Sequence, residues 1–198
     1  MNPGKLRERG QLLKLTKDGT SYRWEASGGI WCAVKETGKK NLFSKVGVGA
    51  AGAEITVREN RQLTCHDALL VRGQHFFLTD IAREGIAPRY FKIQAAMVTP
   101  ETASVPRTKT VLGENGIPTN GEITVAECPV YLTEKYIRSA DEKAQVENTN
   151  RLVAVTPKAL ECLPGDVVEI LGRKYRVEVC HTLEPYKNEY EIERVTDD

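Results

Sequence analysis

The sequence has no long apolar run: nothing in it approaches the ~20 consecutive apolar residues that a membrane-spanning helix needs. Its N-terminus, Met1-Asn2-Pro3-Gly4-Lys5-Leu6-Arg7-Glu8-Arg9, has charges but no apolar core behind them, which argues against a secretory signal and for synthesis and retention in the cytoplasm. Cysteine is sparse and odd in number: Cys32, Cys65, Cys128, Cys162 and Cys180, with no close pair. That excludes a disulfide framework and predicts reduced, mostly buried thiols. A phosphate-binding fingerprint is also missing. Gly47-Val48-Gly49-Ala50-Ala51-Gly52 fits Gly-x-Gly-x-x-Gly by letters, but the alternating Glu54–Arg58 follows it where a dinucleotide site needs a helix. No cofactor is expected.

Zinc is weakly served. Cys65-His66 and Cys180-His181 are adjacent pairs, whereas structural zinc sites pair ligands two to four residues apart. Neighbours on a strand also face opposite sides. With three histidines and five cysteines, a Cys–His couple arises by chance, and no motif selects one as a nucleophile and base. Glu189, Glu191 and Glu193 share one face of a strand, which reads as an exposed acidic edge or a lumen face rather than paired catalytic acids. No metal site and no enzymatic activity are expected.

The 198 residues are 40% hydrophobic and 28% charged, in keeping with one or two globular domains. Net charge is +1, unevenly shared. Residues 1–100 carry 16 Lys+Arg against 9 Asp+Glu, hence +7; residues 101–198 carry 12 against 18, hence −6. Opposite halves favour head-to-tail contact between copies.

Two stretches match at a constant spacing of 99 residues without a gap. Asp67, Leu69, Val71, Gly73, Phe76, Leu78, Phe91 and Ile93 stand opposite Asp166, Val168, Ile170, Gly172, Tyr175, Val177, Tyr190 and Ile192. Fixed-period self-similarity points to a module present twice. Short alternating runs at Gln11–Thr16, Ile30–Lys35, Glu54–Arg58, Ala68–Val71, Gly73–Ile81 and Arg89–Val98 read as strands. So do Ile123–Leu132, Leu152–Val155, Asp166–Leu171, Lys174–Cys180 and Glu189–Val195. Ser27-Gly28-Gly29 reads as an interruption. Glu36–Ala53, rich in glycine and lysine, reads as a long irregular loop. Glu134–Asn148 reads as a helix, from Tyr136, Ile137, Ala140, Ala144 and Glu147. The expected fold is mainly β, with two small antiparallel barrels in tandem: residues 1–98, a polar linker at 99–109, and residues 110–198. Tyr22, Trp24 and Trp31, near Arg23 and Lys35, suggest an alternative: a base-stacking surface on a nucleic-acid-binding protein with two small barrels.

Residues 1–98 resemble the head-closure, or head–tail joining, proteins of long-tailed bacteriophages. The resemblance is carried by Met1-Asn2-Pro3-Gly4-Lys5-Leu6-Arg7, Trp31-Cys32-Ala33-Val34, Glu54-Ile55-Thr56-Val57-Arg58, Asp67–Leu70 and Gly73–Ile81, in that order, over about half the chain. It implies a ring of identical β-barrel subunits in the virion neck, between a portal-side adaptor protein and a tail protein, with genomic DNA in the channel and no membrane partner. In that family the loop between the Trp strand and the Ile-x-x-Arg strand serves the channel or docking. Here that implies Lys39, Lys40, Phe43, Lys45, Val46 and Val48. The second module lacks an evident Trp strand and Ile-x-x-Arg signature.

Overall fold

The computed structural model describes residues 6–41, 50–60, 62–83, 89–112, 117–138 and 148–195. They form twelve antiparallel strands: β1 (Glu8–Asp18), β2 (Ser21–Asn41), β3 (Ala50–Arg58), β4 (Ala68–Val71), β5 (Gln74–Arg83), β6 (Tyr90–Val98), β7 (Glu101–Leu112), β8 (Pro118–Arg138), β9 (Asn148–Pro157), β10 (Val167–Ile170), β11 (Arg173–His181) and β12 (Lys187–Arg194). Two closed barrels result, in the orders β1-β2-β3-β6-β5-β4 and β10-β11-β12-β9-β8-β7. The fold is therefore mainly β, with two small barrels in tandem. Closure removes the unpaired strand edges that an open sheet would expose.

Both barrels have one connectivity, and the 99-residue echo falls on equivalent strands. Leu69, Val71, Phe76, Leu78, Phe91 and Ile93 are buried in the first core, and Val168, Ile170, Tyr175, Val177, Tyr190 and Ile192 are buried in the second. Burying each such side chain stabilises by about 1.5–3 kcal/mol. The two-residue hairpins match as well. Arg72-Gly73 has φ of 53° and 75°, and Leu171-Gly172 has 53° and 69°. Positive φ at both central residues is the turn whose twist suits a tight hairpin. Each echo opens on an aspartate that closes the preceding turn: Asp67 Oδ2 accepts from Thr64 N and Asp166 Oδ2 from Leu163 N, both at 2.8 Å. Each aspartate also meets a cation from its barrel's first strand: Lys14 Nζ at 3.6 Å from Asp67 Oδ1, and Arg107 Nη1 at 2.6 Å from Asp166 Oδ2. The match thus includes an ion pair at the junction where the first strand of each barrel closes on its neighbour.

Closure sets one strict size limit. At Gly10, where β1 pairs with Val71 of β4, an added Cβ would meet Val71 Cγ2 at 2.9 Å and the Leu70 carbonyl oxygen at 3.2 Å. Any larger residue there must move backbone.

Four sequence expectations change. Glu134–Arg138, read as helix, belongs to β8 and pairs with β9 from Leu152 back to Asn148; 139–147 lie outside the described residues, among which there is no helix. Glu36–Ala53 is not wholly a loop: β2 continues to Asn41 and β3 begins at Ala50. Ser27-Gly28-Gly29 does not break β2. Leu12 pairs with Gly28 and Leu13 with Ala26, so Ser27 is a bulge residue and the strand bends onward. Residues 101–109, placed in the linker, belong to β7, where Ala103 and Val105 enter the second core; only Thr99 and Pro100 separate the barrels' strands.

The barrels meet along an apolar seam. Phe77, Ala96 and Val98, on the outer face of β5 and β6, pack with Tyr131, Val153 and Val155, on the outer face of β8 and β9. Phe77 meets the Tyr131 ring edge-on at 5.4 Å, a favourable geometry. Polar contacts frame it: Trp24 Nε1 donates to Tyr131 Oη (2.8 Å), Tyr186 Oη to the Thr79 carbonyl (3.2 Å) and Thr20 Oγ1 to the Val125 carbonyl (2.7 Å). His75 lies buried at this seam with its ring 5.9 Å from Trp24 and 5.8 Å from Tyr131. Burial holds its pKa down at about 4.

Candidate docking site on the first barrel

The strand pair β2–β3 bears two of the six residues singled out for docking, Lys39 and Lys40. Cys32 pairs with Val57, Val34 with Ile55, and Glu36 with Ala53. Register then shifts, three residues (Thr37, Gly38, Lys39) opposing the single Gly52, and pairing resumes at Lys40–Ala51 and Asn41–Ala50. Thr37 Oγ1 donates to the Gly52 carbonyl at 3.1 Å and pins the irregularity. Lys39 and Lys40 therefore sit on a β ribbon. Phe43, Lys45, Val46 and Val48 lie outside the described residues, as do Gly47–Gly49 of the glycine-rich match. The second barrel has a ribbon at the same place in its topology, where β8 and β9 pair out to Arg138–Asn148.

Two elements that are far apart in sequence come together beside this ribbon. Trp31 and Arg58 flank the Cys32–Val57 pair, so they meet on the outward side of β2 and β3. On the other side of Trp31, β1 pairs Arg9 with it. Trp31 is 56% exposed, and Arg9 and Arg58 are exposed too. An indole between two guanidinium-bearing neighbours is a sticky, cationic surface: large apolar area, with donors and charge on both flanks. Beside it the Ser27 bulge leaves a shallow depression of about 590 Å³, edged by Arg9 and Gln11 and floored by Gly28 and Gly29. Sequence reading placed Trp31 and Arg58 in separate motifs; only the β2–β3 register reveals them as neighbours.

The other candidates disperse. Tyr22, Trp24 and Trp31 form no single platform: Trp24 is engaged at the seam, and Tyr22 lies under Lys17, with Nζ 5.5 Å from its ring. Among the described residues no three His, Cys, Asp or Glu side chains are arranged to hold a metal ion. His181 Nε2 stands 3.1 Å from Glu191 Oε1 and the Cys180 thiol donates to the Cys162 carbonyl. All five cysteines are unpaired. Burial pushes the Cys32 and Cys162 thiols up to about 11 and Cys128 to about 12, which makes them poor nucleophiles.

The acidic triplet departs from expectation. Glu193 is exposed, but Glu189 and Glu191 are each only 3% exposed. Glu189 Oε1 pairs with Lys187 Nζ at 2.8 Å. Glu191 Oε1 accepts from Lys135 Nζ at 2.7 Å and faces His181, with Arg151 Nη1 3.9 Å from Oε2. Burial alone would raise the Glu191 carboxyl, but hydrogen bonds and charge from Lys135 and His181 hold it below the usual value. The two carboxylates are structural ion-pair partners: Glu191 meets Lys135, Arg151 and His181 from other strands, and Glu189 meets Lys187 of its own strand.

No family model matches the chain, and no curated protein and no solved structure matches it.

Proposed function

We propose that this chain is a structural, non-enzymatic protein of a bacteriophage neck. It forms a ring of identical subunits between the portal-side adaptor and the tail, helps retain DNA, and docks the tail. It is made in the bacterial host's cytoplasm and carried in the virion. The observation that carries the reading is the resemblance of residues 1–98, whose two signature residues Trp31 and Arg58 stand side by side at the root of the β2–β3 ribbon. A closed barrel is a rigid base for such an arm, and an arm with lysines suits DNA phosphate or acidic neighbours.

The test replaces 39–49 by a short Gly-Ser turn in the virus. The purified variant is expected to keep its β-sheet circular dichroism, while particles lose DNA or tails. Tailed, DNA-filled particles at normal yield would overturn the role of the arm.

A second reading has its own support. Exposed Trp31 beside Arg9 and Arg58 suits base stacking with phosphate contact. It requires salt-sensitive binding of single-stranded oligonucleotides that quenches Trp31 fluorescence.

A further inference from the structure

We propose that the face around Trp31 docks on the second barrel of another copy of this chain, in a groove bordered by Glu178 and Glu193. The inference deepens the ring reading by naming the two surfaces, and it stands or falls on self-association alone.

The internal repeat supplies the first argument. Val71 and Ile170 are an echo pair. Val71 pairs with Gly10 and Gly10 with Ile30; Ile170 pairs with Ala103 and Ala103 with Cys128. Counted this way, Ile30 corresponds to Cys128, Trp31 to Pro129 and Ala33 to Tyr131. Trp31 and Tyr131 therefore lie on the same outward face of equivalent strands, one outward position apart. Tyr131 is 1% exposed because the first barrel of its own chain covers it; Trp31 is 56% exposed. The seam is itself head-to-tail, since the β5–β6 side of one barrel meets the β8–β9 side of the other. A head-to-tail contact between related modules leaves one such surface at each end, and joining copies through those ends gives a ring or a filament.

Charge selects the occupant. Arg9 and Arg58 flank Trp31 on a half that carries +7, while the second half carries −6. On that acidic barrel a groove of about 290 Å³ has Leu152 and Ile192 at its base and Glu178 and Glu193 on its rim; Arg151 and Glu191 also line it, paired with each other at 3.9 Å. Both glutamates are exposed, as is Arg194 at the groove's end. The groove has room for an indole. Two carboxylates on its rim complement two guanidiniums beside the tryptophan, and an Arg194 guanidinium is a good neighbour for an indole face.

The experiment places a photo-crosslinking benzoylphenylalanine at position 31 of the full chain. Adducts are mapped by mass spectrometry, beside sedimentation of wild type, Trp31→Ala and Glu178→Lys/Glu193→Lys in 50 mM and 500 mM salt. Intermolecular adducts within residues 173–194 support the contact. So does a roughly thirtyfold or greater weakening of association by Trp31→Ala, as expected of a central interface tryptophan. The paired Glu→Lys change should abolish association, and Arg9→Glu/Arg58→Glu should restore it. A wild type that stays monomeric at millimolar concentration overturns the proposal, as do adducts confined to residues 8–98. Trp31 quenching by oligonucleotides without self-association also overturns it, in favour of nucleic acid. Failure here leaves the neck reading to its own test, because particles lacking residues 39–49 report on DNA retention and not on this face.

Discussion

In β6 the residues facing the core are Phe91, Ile93 and Ala95; in β12 Tyr190 and Ile192 hold the places of Ile93 and Ala95. The outward residues of the same two strands have nothing in common. Those of β6 include Ala96 and Val98, which enter the apolar seam. Those of β12 include Lys187, Glu189 and Glu191, just as buried but held by ion pairs. The inner face of a barrel strand is fixed by packing against five other strands, so a duplicated module keeps it. The outer face answers only to whatever covers it, and there the copies have diverged into a hydrophobic solution and an ionic one.

The largest effect should come from carrying the ionic solution to the wrong strand. Ala96→Glu puts a carboxylate into a seam where Phe77, Val98, Tyr131, Val153 and Val155 surround it. An unpaired buried charge costs about 3–5 kcal/mol, so the seam should open while both barrels stay folded. Trp24 emission would change as its bond to Tyr131 is lost while strand amides in both barrels stay protected from exchange, and unfolding would split into two transitions. A single unchanged transition would mean the barrels do not depend on this seam.

A smaller effect follows from His75. The groups facing its ring are Trp24 from β2 and Tyr131 from β8, with Leu70 and Val98 as its partners on β4 and β6; of these only Tyr131 titrates, and burial pushes its pKa up, so it stays neutral. With the pKa held near 4 against an ordinary 6.5, the closed seam favours the uncharged ring. Stability is complete above pH 6.5 and falls by about 1.4 kcal/mol per pH unit toward pH 4 as the open form takes up the proton. Trp24 emission should report this opening, and His75→Phe should flatten it between those limits. Loss of Glu191 ion pairing comes lower, below the usual carboxylate range, and should survive in that variant.

The smallest effect sharpens the equivalence of the hairpins. Leu171 and Arg72 share φ of 53°, which costs a side-chain-bearing residue about 1 kcal/mol relative to glycine. Leu171 is 64% exposed, so Leu171→Gly should raise stability by about that amount in thermal melts. Arg72→Gly should gain less, because Arg72 Nε pairs with Glu8 Oε2 at 2.7 Å. Equal gains would show that the ion pair contributes nothing.

What the sequence reveals follows from which forces act locally. The echo was legible because alternation and turn chemistry are set within each hairpin: Asp67, Gly73 and Phe76 repeat as Asp166, Gly172 and Tyr175 whatever lies outside. The helix expected at Glu134–Asn148 rested on apolar spacing, yet Glu134 and Lys135 pair with Leu152 and Arg151 in a ribbon whose stability comes from its partner strand. Pro100 and Pro106 made 99–109 look like a linker, although Ala103 and Val105 already alternate into a core. Glu191 looked solvent-facing because its partners come from other segments, Lys135 lying 56 residues away, whereas Glu189 has Lys187 on its own strand. The neighbouring of Trp31 and Arg58, and the seam itself, depend on register and docking, which no single stretch encodes.

Thr99 and Pro100 are all that separates the last strand of one barrel from the first strand of the next. So short a tether holds each barrel at an effective concentration of roughly 1 mM or more in the other's presence. A contact with a Kd of about 0.1 mM between free barrels would then be closed about nine-tenths of the time. The seam is thus released from any need for high affinity, and mutations that weaken it tenfold as a bimolecular contact still leave it closed about half the time. Tethering adds to complementarity in keeping the two barrels together.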